Sequence, residues 1–273
     1  VSNGLVLDKN GVKMSKRLGN VIDPFVTIEK YGADATRWYM VANAAPWDNL
    51  KFDLEGISEV QRKLFGTLYN TYGFFALYAN VDGFVVDSTN TVPISNRAEL
   101  DRWILSKLNS LILDVTEQFE NFEPHKAARY IEEFVDEHLS APFFSDWLYT
   151  NLGDNTTAID SVHISEFPKA SIQHIDANLE KRMEMAQKIS SMVLSIRKKE
   201  NLKVRQPLQK IQIPILGTEF KQHVEAVKDI ILAEVNVKEL DFVTEAEVQI
   251  VKNLKLNFKT LGKKCGKHMK TVQ

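Results

Sequence analysis

Near its amino end the chain reads Lys13-Met14-Ser15-Lys16-Arg17, and it continues through Gly19-Asn20-Val21-Ile22-Asp23-Pro24. The first of these segments has neither helical nor strand periodicity and lies between Gly11 and Gly19, which predicts a loop. Asp23 and Pro24 predict the start of a short helix, because Asp caps a helix amino terminus and Pro suits its first turn. A strand is expected over residues 4–8 and a second short helix over residues 34–41.

The two lysines of this loop, Lys13 and Lys16, suggest a chemical role. Two ammonium groups close together can neutralise a polyphosphate, and they stabilise charge developing on a leaving pyrophosphate more than they stabilise the ground state. Lysine suits this role because it is a compact point charge on a flexible stem. The same residues also fit a solvated basic turn, since runs of charge usually lie at the surface. The segment alone therefore leaves both interpretations open.

The surroundings of the loop carry a resemblance to a known family. The loop and its continuation are followed by Tyr31-Gly32-Ala33-Asp34-Ala35-Thr36-Arg37, and this ordered set resembles the KMSKS-type signature of the class I aminoacyl-tRNA synthetases for isoleucine, valine and leucine. Arg17 stands where many members carry Ser, which keeps both lysines and adds a positive charge. Further segments resemble the isoleucyl branch: Trp38-Tyr39-Met40, Asn43-Ala44, Pro46-Trp47, Leu50-Lys51-Phe52-Asp53, Val204-Arg205-Gln206-Pro207-Leu208 and Asn257-Phe258-Lys259-Thr260-Leu261-Gly262.

This resemblance extends over nearly the whole chain and implies a reaction. In the family the loop closes on ATP while isoleucine attacks the α-phosphate, and the acyl group then passes to the 3′ end of the isoleucine tRNA. It implies that Lys13 and Lys16 are catalytic, and that ATP phosphates contact Lys13, Met14, Ser15, Lys16 and Arg17. Mg²⁺ is expected for the whole enzyme, which the resemblance presents as a cytoplasmic monomer.

Helical periodicity dominates the middle of the chain. Apolar residues recur at spacings of three, four or seven from about Gly56, and again over residues 100–119, 127–138 and 179–196. Four amphipathic helices predict a bundle. After Pro207 the pattern changes to extended apolar segments around one helix over residues 220–231, followed by strands near residues 240–242 and 248–258, which predicts a small α+β unit.

The predicted fold class is therefore mainly α, in three domains. Residues 1–55 are expected to be the end of a Rossmann-type catalytic domain with the KMSKR loop. Residues 56–203 are expected to form a helical anticodon-binding domain, and residues 204–273 a small α+β junction domain. The division rests on the periodicity, and the domain names are what the resemblance implies.

Composition limits the other possibilities. A net charge of −2 means that the whole chain is not a basic nucleic-acid binder, so RNA contacts must come from local patches. The single cysteine, Cys265, excludes an intramolecular disulfide and a multi-cysteine zinc site, and no metal site is expected in this chain. No apolar run approaches membrane-spanning length and no signal peptide opens the sequence. Because residue 1 is Val, we expect a piece of a longer protein.

Two basic clusters are candidate tRNA contacts. The first follows the long helix over residues 179–196 and consists of Arg197, Lys198, Lys199, Lys203 and Arg205. It could hold phosphates of the anticodon stem, although basic residues at a helix carboxyl end also complement the helix dipole. The second cluster has seven lysines between Lys252 and Lys270, which either touch tRNA or form a solvated end.

Aromatic side chains of the bundle could stack on unpaired anticodon bases. Their positions on apolar faces favour core packing instead. This expectation applies to Trp103, Phe119, Phe122, Phe134, Phe143, Phe144, Trp147 and Tyr149.

The sequence departs from the family pattern in two places. The His-x-Gly-His ATP motif is absent among the six histidines, so the chain alone is not expected to activate isoleucine. In addition, Glu137-His138-Leu139-Ser140 runs directly into Ala141-Pro142-Phe143-Phe144, where the family has a stretch worth about two helices. We interpret this junction as an omitted or deleted segment. Omission predicts a Cα–Cα distance at Ser140–Ala141 far above the ~3.8 Å of a trans peptide.

Two other function classes compete with a synthetase part. A tRNA-binding module without catalysis fits the bundle, but the intact lysine pair argues against it. A helical scaffold with no nucleic-acid role fits the amphipathic helices, yet gives no account of the ordered set from Lys13 to Arg37. Within the synthetases, a valyl or leucyl member is the alternative to an isoleucyl one.

Overall fold

The computed structural model describes residues 3–84, 92–139, 167–215 and 217–243, which belong to two compact units, Val1–Glu180 and Lys181–Gln273. The junction at Ser140–Ala141 and the lysine cluster from Lys252 to Lys270 lie outside the described residues. The predicted domain boundaries at residues 55 and 203 stay predictions.

The first unit begins with two short strands that pair in parallel, β1 (Val6–Leu7) and β2 (Leu50–Lys51). Between them lie α1 (Pro24–Tyr31) and α2 (Ala33–Asn43). The Asp23 side chain accepts hydrogen bonds from the backbone N–H of Phe25 and Val26, at 2.8 and 3.3 Å, as the sequence predicts for a helix cap. Gly32, at φ +82°, separates the two helices.

A small apolar core holds these elements together, formed by Ala35, Tyr39, Leu50, Phe52 and Ile57. The Tyr39 hydroxyl donates to the Lys51 carbonyl at 2.8 Å and accepts from the Asp53 N–H at 3.0 Å. This side chain therefore ties α2 to the segment that follows β2. The Lys13–Arg17 loop packs against this core through Met14.

Helices dominate the remaining described residues of the first unit, as the periodicity predicts. A continuous helical run consists of α3 (Leu54–Val60), a π-helical turn (Gln61–Phe65) and α4 (Gly66–Val81). It is followed by α5 (Glu99–Glu120), α6 (Pro124–Glu133) and a second π-helical turn (Phe134–Leu139). Helix α7 (Ala177–Lys199) begins in this unit and continues into the second.

A polar stripe on α5 fixes the amino end of α7. The Ser106 hydroxyl accepts from the Asp176 N–H at 2.8 Å, and the Glu180 carboxylate accepts from the hydroxyls of Ser106 and Ser110 at 2.5 and 2.8 Å. Asn109 accepts from the Ser171 N–H at 2.6 Å. Buried polar groups with partners of this kind fix the register of a helix pair, because any slip would leave them unsatisfied.

The second unit pairs two strands in parallel, β3 (Leu208–Pro214) and β4 (Val237–Val243). Parallel strands need a crossover connection, and here two helices supply it, α8 (Thr218–Ala226) and α9 (Lys228–Val235). The helical spacing predicted over residues 220–231 is confirmed, although the stretch is divided into two helices at Val227 (φ −112°, ψ 15°). Val227 is nevertheless fully buried, which is why its spacing matched a single helix. The strand predicted near residues 248–258 lies outside the described residues.

Helix α4 is apolar around most of its circumference and remains widely exposed. Large apolar side chains that face solvent include Tyr69, Tyr72, Phe74, Leu77 and Val81. Among the helices described, none is both long enough and apolar enough to cross a membrane.

Candidate functional site

The segment Lys13–Arg17 is a loop, as predicted, with one short helical turn inside it. Lys13 forms a backbone bridge with Leu7, and Lys16–Leu18 forms a 3₁₀ turn. Ser15 caps this turn, with its hydroxyl accepting from the Leu18 N–H at 3.3 Å. Gly19 ends it at φ +66°, a conformation that side chains with a Cβ rarely adopt.

Two apolar residues anchor the loop to the core of the first unit. Met14 and Ile22 both pack against the cluster that contains Tyr39 and Phe52. Met14 therefore has a packing role between the exposed Lys13 and the partly buried Ser15. Its side chain lies against the core, and the predicted contact of Met14 with ATP phosphates stays a prediction.

A hydrogen-bond network centred on the Asn20 side chain stabilises the same loop. The Asn20 amide accepts from the Ser15 N–H at 2.8 Å and donates to the Asp8 carboxylate at 2.9 Å and to the Lys13 carbonyl at 3.3 Å. Donation from Asn20, followed by the backbone N–H of Val12, lowers the pKa of Asp8 below its ordinary value. Neither Asn20 nor Asp8 was predicted to have a role, and the one sequence signal for Asn20 is its position in the run that resembles the family signature.

The three cations of the loop face solvent. The side chains of Lys13, Lys16 and Arg17 are exposed, and within the described part of the chain none of them forms an ion pair or a side-chain hydrogen bond. Cations on an ordered backbone and without local partners can bind an anion directly. This arrangement suits a phosphate-bearing ligand.

The basic cluster at the end of α7 divides into a structural residue and a surface group. Arg197 is only 2% exposed. Its guanidinium donates to the carbonyls of Lys203 and Gln206, at 3.1 and 3.0 Å, and to the Asn236 carbonyl at 2.9 Å. We therefore correct the prediction for Arg197, since its donors serve the second unit and do not face a nucleic acid.

The other four members of the cluster remain candidates for RNA contact. Lys198, Lys199, Lys203 and Arg205 are exposed, and no described carboxylate pairs with them. Their backbone is fixed by Arg197 and by Asn236, whose amide donates to the Val204 carbonyl at 2.8 Å. The structure thus presents two free cations at the end of α7, Lys198 and Lys199, and two on the turn that follows it, Lys203 and Arg205.

The bundle aromatics follow the core-packing prediction only in part. Trp103 and Phe134 are buried. The expectation is wrong for Phe119 and Phe122, which are 50% and 69% exposed. Phe122 also has a positive φ of 58°, so the chain turns there and carries the ring out of the α5 stripe. Phe143, Phe144, Trp147 and Tyr149 lie outside the described residues.

Metal-binding side chains do not cluster in the described residues. Nowhere in residues 3–84, 92–139, 167–215 and 217–243 do three His, Cys, Asp or Glu side chains come close enough together to hold an ion.

Two protein families match this chain. Residues 1–53 match the family of class I tRNA synthetases for isoleucine, leucine, methionine and valine. Residues 101–141 and 138–212 match the anticodon-binding domain of tRNA ligases, in two pieces that meet near residue 140. The first match contains the Lys13–Arg17 loop, and the second contains α5 and α7.

Three relatives of this chain are isoleucine–tRNA ligases. That of Bacteroides thetaiotaomicron is 50% identical over 315 residues, which include 100% of this chain and 27% of the relative. The protein of Cytophaga hutchinsonii is 46% identical, with 100% and 28% covered. That of Clostridium novyi is 33% identical, with 99% and 29% covered. The chain therefore spans less than a third of the length of these relatives.

A weaker similarity links the chain to a solved structure. A ternary LeuRS-tRNA-LeuAMS complex from Agrobacterium radiobacter K84 matches 65% of this chain and 24% of its own, with a TM-score of 0.43 and 21% identity. The assignment rests instead on the two family matches and on the identity that continues through the whole chain. By these criteria the chain belongs to the class I aminoacyl-tRNA synthetase family, in its isoleucyl branch.

Proposed function

We propose that this chain is the part of an isoleucyl-tRNA synthetase that supplies the ATP-binding KMSKR loop and the anticodon-binding region. The whole enzyme would activate isoleucine with ATP and transfer it to the isoleucine tRNA. The observation that supports this most directly is the 50% identity to the isoleucine–tRNA ligase of Bacteroides thetaiotaomicron, in an alignment that covers 100% of this chain.

The proposed catalytic groups are Lys13 and Lys16, with Arg17 beside them. They would bind the phosphates of ATP and stabilise the charge that develops on pyrophosphate as isoleucine attacks the α-phosphate. Such stabilisation accelerates the reaction only if it is stronger in the transition state than in the bound substrate. Ser15 would hold the turn that carries Lys16, and its hydroxyl keeps a hydrogen free for a phosphate oxygen.

The proposed tRNA contacts are the four free cations Lys198, Lys199, Lys203 and Arg205. Phosphate contacts of this kind position RNA without reading its sequence, and they make affinity depend on salt. The whole enzyme would act as a monomer and take Mg²⁺ together with ATP. Residues 1–55, 56–203 and 204–273 would be its catalytic end, anticodon-binding domain and junction domain.

We also propose that a segment present in the relatives is missing near residues 140–141. The two-piece anticodon match and alignments of 315 residues for a chain of 273 support this proposal. The genomic DNA between the codons for Leu139 and Pro142 tests it directly. An uninterrupted reading frame encoding only Ser140 and Ala141 would show that the segment is deleted and was not omitted from this sequence.

The loop assignment is tested by Lys16→Ala in the full-length protein that carries this chain. Loss of one cation directed at developing charge is expected to slow isoleucine-dependent ATP–pyrophosphate exchange by about 100-fold. Binding of the isoleucine tRNA should not change, because Lys16 is not among the proposed RNA contacts. Lys9→Ala is the matched control, since Lys9 is an exposed lysine in the preceding turn.

Two results would contradict the assignment. One is a Lys16→Ala enzyme that exchanges pyrophosphate as fast as the Lys9→Ala control. The other is exchange at the full-length rate by the 273-residue chain alone, because that chain lacks the His-x-Gly-His motif of the family and is expected to be inactive.

A further inference from the structure

Asn20 connects three points of the KMSKR loop through a single side chain. Its carbonyl oxygen accepts from the Ser15 N–H at 2.8 Å, and its amide nitrogen donates to the Lys13 carbonyl at 3.3 Å. The peptides held in this way lie directly between the two lysines. Any rotation of the Asn20 amide would release both contacts, so the backbone on either side of Met14 depends on its orientation.

Asp8 sets that orientation. One carboxylate oxygen accepts from Asn20 at 2.9 Å, and the other accepts from the N–H groups of Asn10 and Val12 at 3.0 and 2.8 Å. An ionised carboxylate only accepts hydrogen bonds, so the Asn20 amide must turn its NH₂ group toward Asp8. The carbonyl oxygen then faces the Ser15 N–H, where an acceptor is needed.

We propose that Asn20 and Asp8 are positioning residues, which hold the Lys13–Ser15 backbone so that the two lysines are arranged for a phosphate ligand before it binds. The proposal rests on the proposed function of the loop. Neither side chain is among the exposed cations, and both act through the backbone. Preordering of this kind lowers the barrier to reaction because less motion has to be frozen in the transition state.

The arrangement predicts a particular pattern of failure and rescue. Asn20→Asp places a second carboxylate against Asp8, so an attractive contact becomes a repulsive one and the donor to the Lys13 carbonyl is lost. Adding Asp8→Asn restores a donor and an acceptor across the same contact, with their chemical roles exchanged. The introduced carboxylate can still accept from the Ser15 N–H, and the introduced amide can still accept from Asn10 and Val12.

The test compares these variants in the full-length protein by isoleucine-dependent ATP–pyrophosphate exchange. We expect Asn20→Asp to lower kcat by about 30-fold while the KM for ATP changes less than about threefold, since the loss is of geometry in the transition state. The double variant should recover at least about tenfold of the lost rate. A structural defect that merely destabilised the fold would not be rescued by exchanging the two groups.

A second measurement uses the 273-residue chain itself and needs no catalysis. The Ser15 amide hydrogen is protected by Asn20, so Asn20→Ala should speed its exchange with solvent by at least about fivefold. The amide of Gly32, which bonds to the Ile28 carbonyl at 2.8 Å, should exchange as before. An unchanged rate of amide exchange at Ser15 would contradict the proposed positioning role of Asn20. A double variant no more active than Asn20→Asp would contradict it as well.

Lys16→Ala, measured in parallel, separates the two proposals. If that substitution leaves activation intact, the assigned function of the loop fails. If Lys16→Ala slows activation while Asn20→Asp does not, the proposed role of Lys16 stands and the proposed positioning role of Asn20 and Asp8 is wrong.

Discussion

The hydroxyl of Tyr39 is buried between two backbone groups, the Lys51 carbonyl and the Asp53 N–H. Tyr39→Phe removes both hydrogen bonds and leaves those groups without a partner inside the core. We expect it to lower the free energy of unfolding by about 1–2 kcal/mol, measured by urea denaturation at neutral pH. No loss of stability would mean that water satisfies the two backbone groups equally well.

Tyr39 also gives a pH dependence with a definite sign. Burial raises its pKa above the ordinary value of 10.0. The unfolded chain therefore releases the proton at a lower pH than the folded chain does, so this contribution is complete below pH 10 and is lost as pH rises through the folded pKa. Above pH 10 the stability of Tyr39→Phe should fall less steeply than that of the parent, and parallel curves would contradict the prediction.

Local sequence patterns predicted the loop at residues 13–17 but not what holds it in place. Charge and spacing identify Lys13 and Lys16, because those properties belong to the residues themselves. The roles of Met14, Asn20 and Asp8 depend on which groups surround them in three dimensions. For Arg197 the sequence pattern was misleading. The basic residues near it in the sequence are exposed, whereas its own guanidinium is buried and donates to backbone carbonyls.

Among the secondary-structure elements, the end of α7 gives the sharpest contrast between neighbouring residues. Arg197→Met would remove three hydrogen bonds to backbone carbonyls, so we expect a loss of about 3 kcal/mol of stability. Lys198→Ala should change stability by less than about 0.5 kcal/mol. It should instead weaken binding of the isoleucine tRNA and lower the slope of log K against log salt by about 1.

Urea denaturation and tRNA titration over a range of salt concentrations check this pair together. The reverse pattern, with a stable Arg197→Met and a destabilised Lys198→Ala, would contradict the roles assigned at the end of α7. A fall in tRNA affinity for Arg197→Met alone would not restore it as a contact, because its loss also loosens the turn that carries Lys203 and Arg205.

Periodicity located most of the elements, and its errors have physical causes. The cap at Asp23 and the long apolar stripes of α5 and α7 are local signals, and these helices lie where they were predicted. The break at Val227 was missed because a buried residue keeps helical spacing through a change in helix direction. The exposed ring of Phe122 was missed because the turn after α5 depends on a positive φ at Phe122, which apolar spacing does not reveal. Phe119 lies within α5, and its exposure has no explanation in the helical spacing.

At the scale of the whole chain, the two proposed binding surfaces lie in different units. The loop lies on a packed core in the first unit, and the free cations of the second lie at the end of α7 and on the turn that follows it. No composition value distinguishes this chain from an ordinary globular protein, and its net charge of −2 alone would disfavour RNA binding. Motifs in a fixed order, and not composition, therefore identify the family. Of the proposed roles, anticodon binding involves the largest part of the chain.

The most direct test of that claim is the affinity of the 273-residue chain for the isoleucine tRNA, titrated beside an unrelated tRNA at several salt concentrations. The account predicts at least about tenfold tighter binding to the isoleucine tRNA, a difference of 1.4 kcal/mol, and affinities for both that fall as salt rises. Equal affinity for the two tRNAs, or no binding to either at low salt, would contradict it.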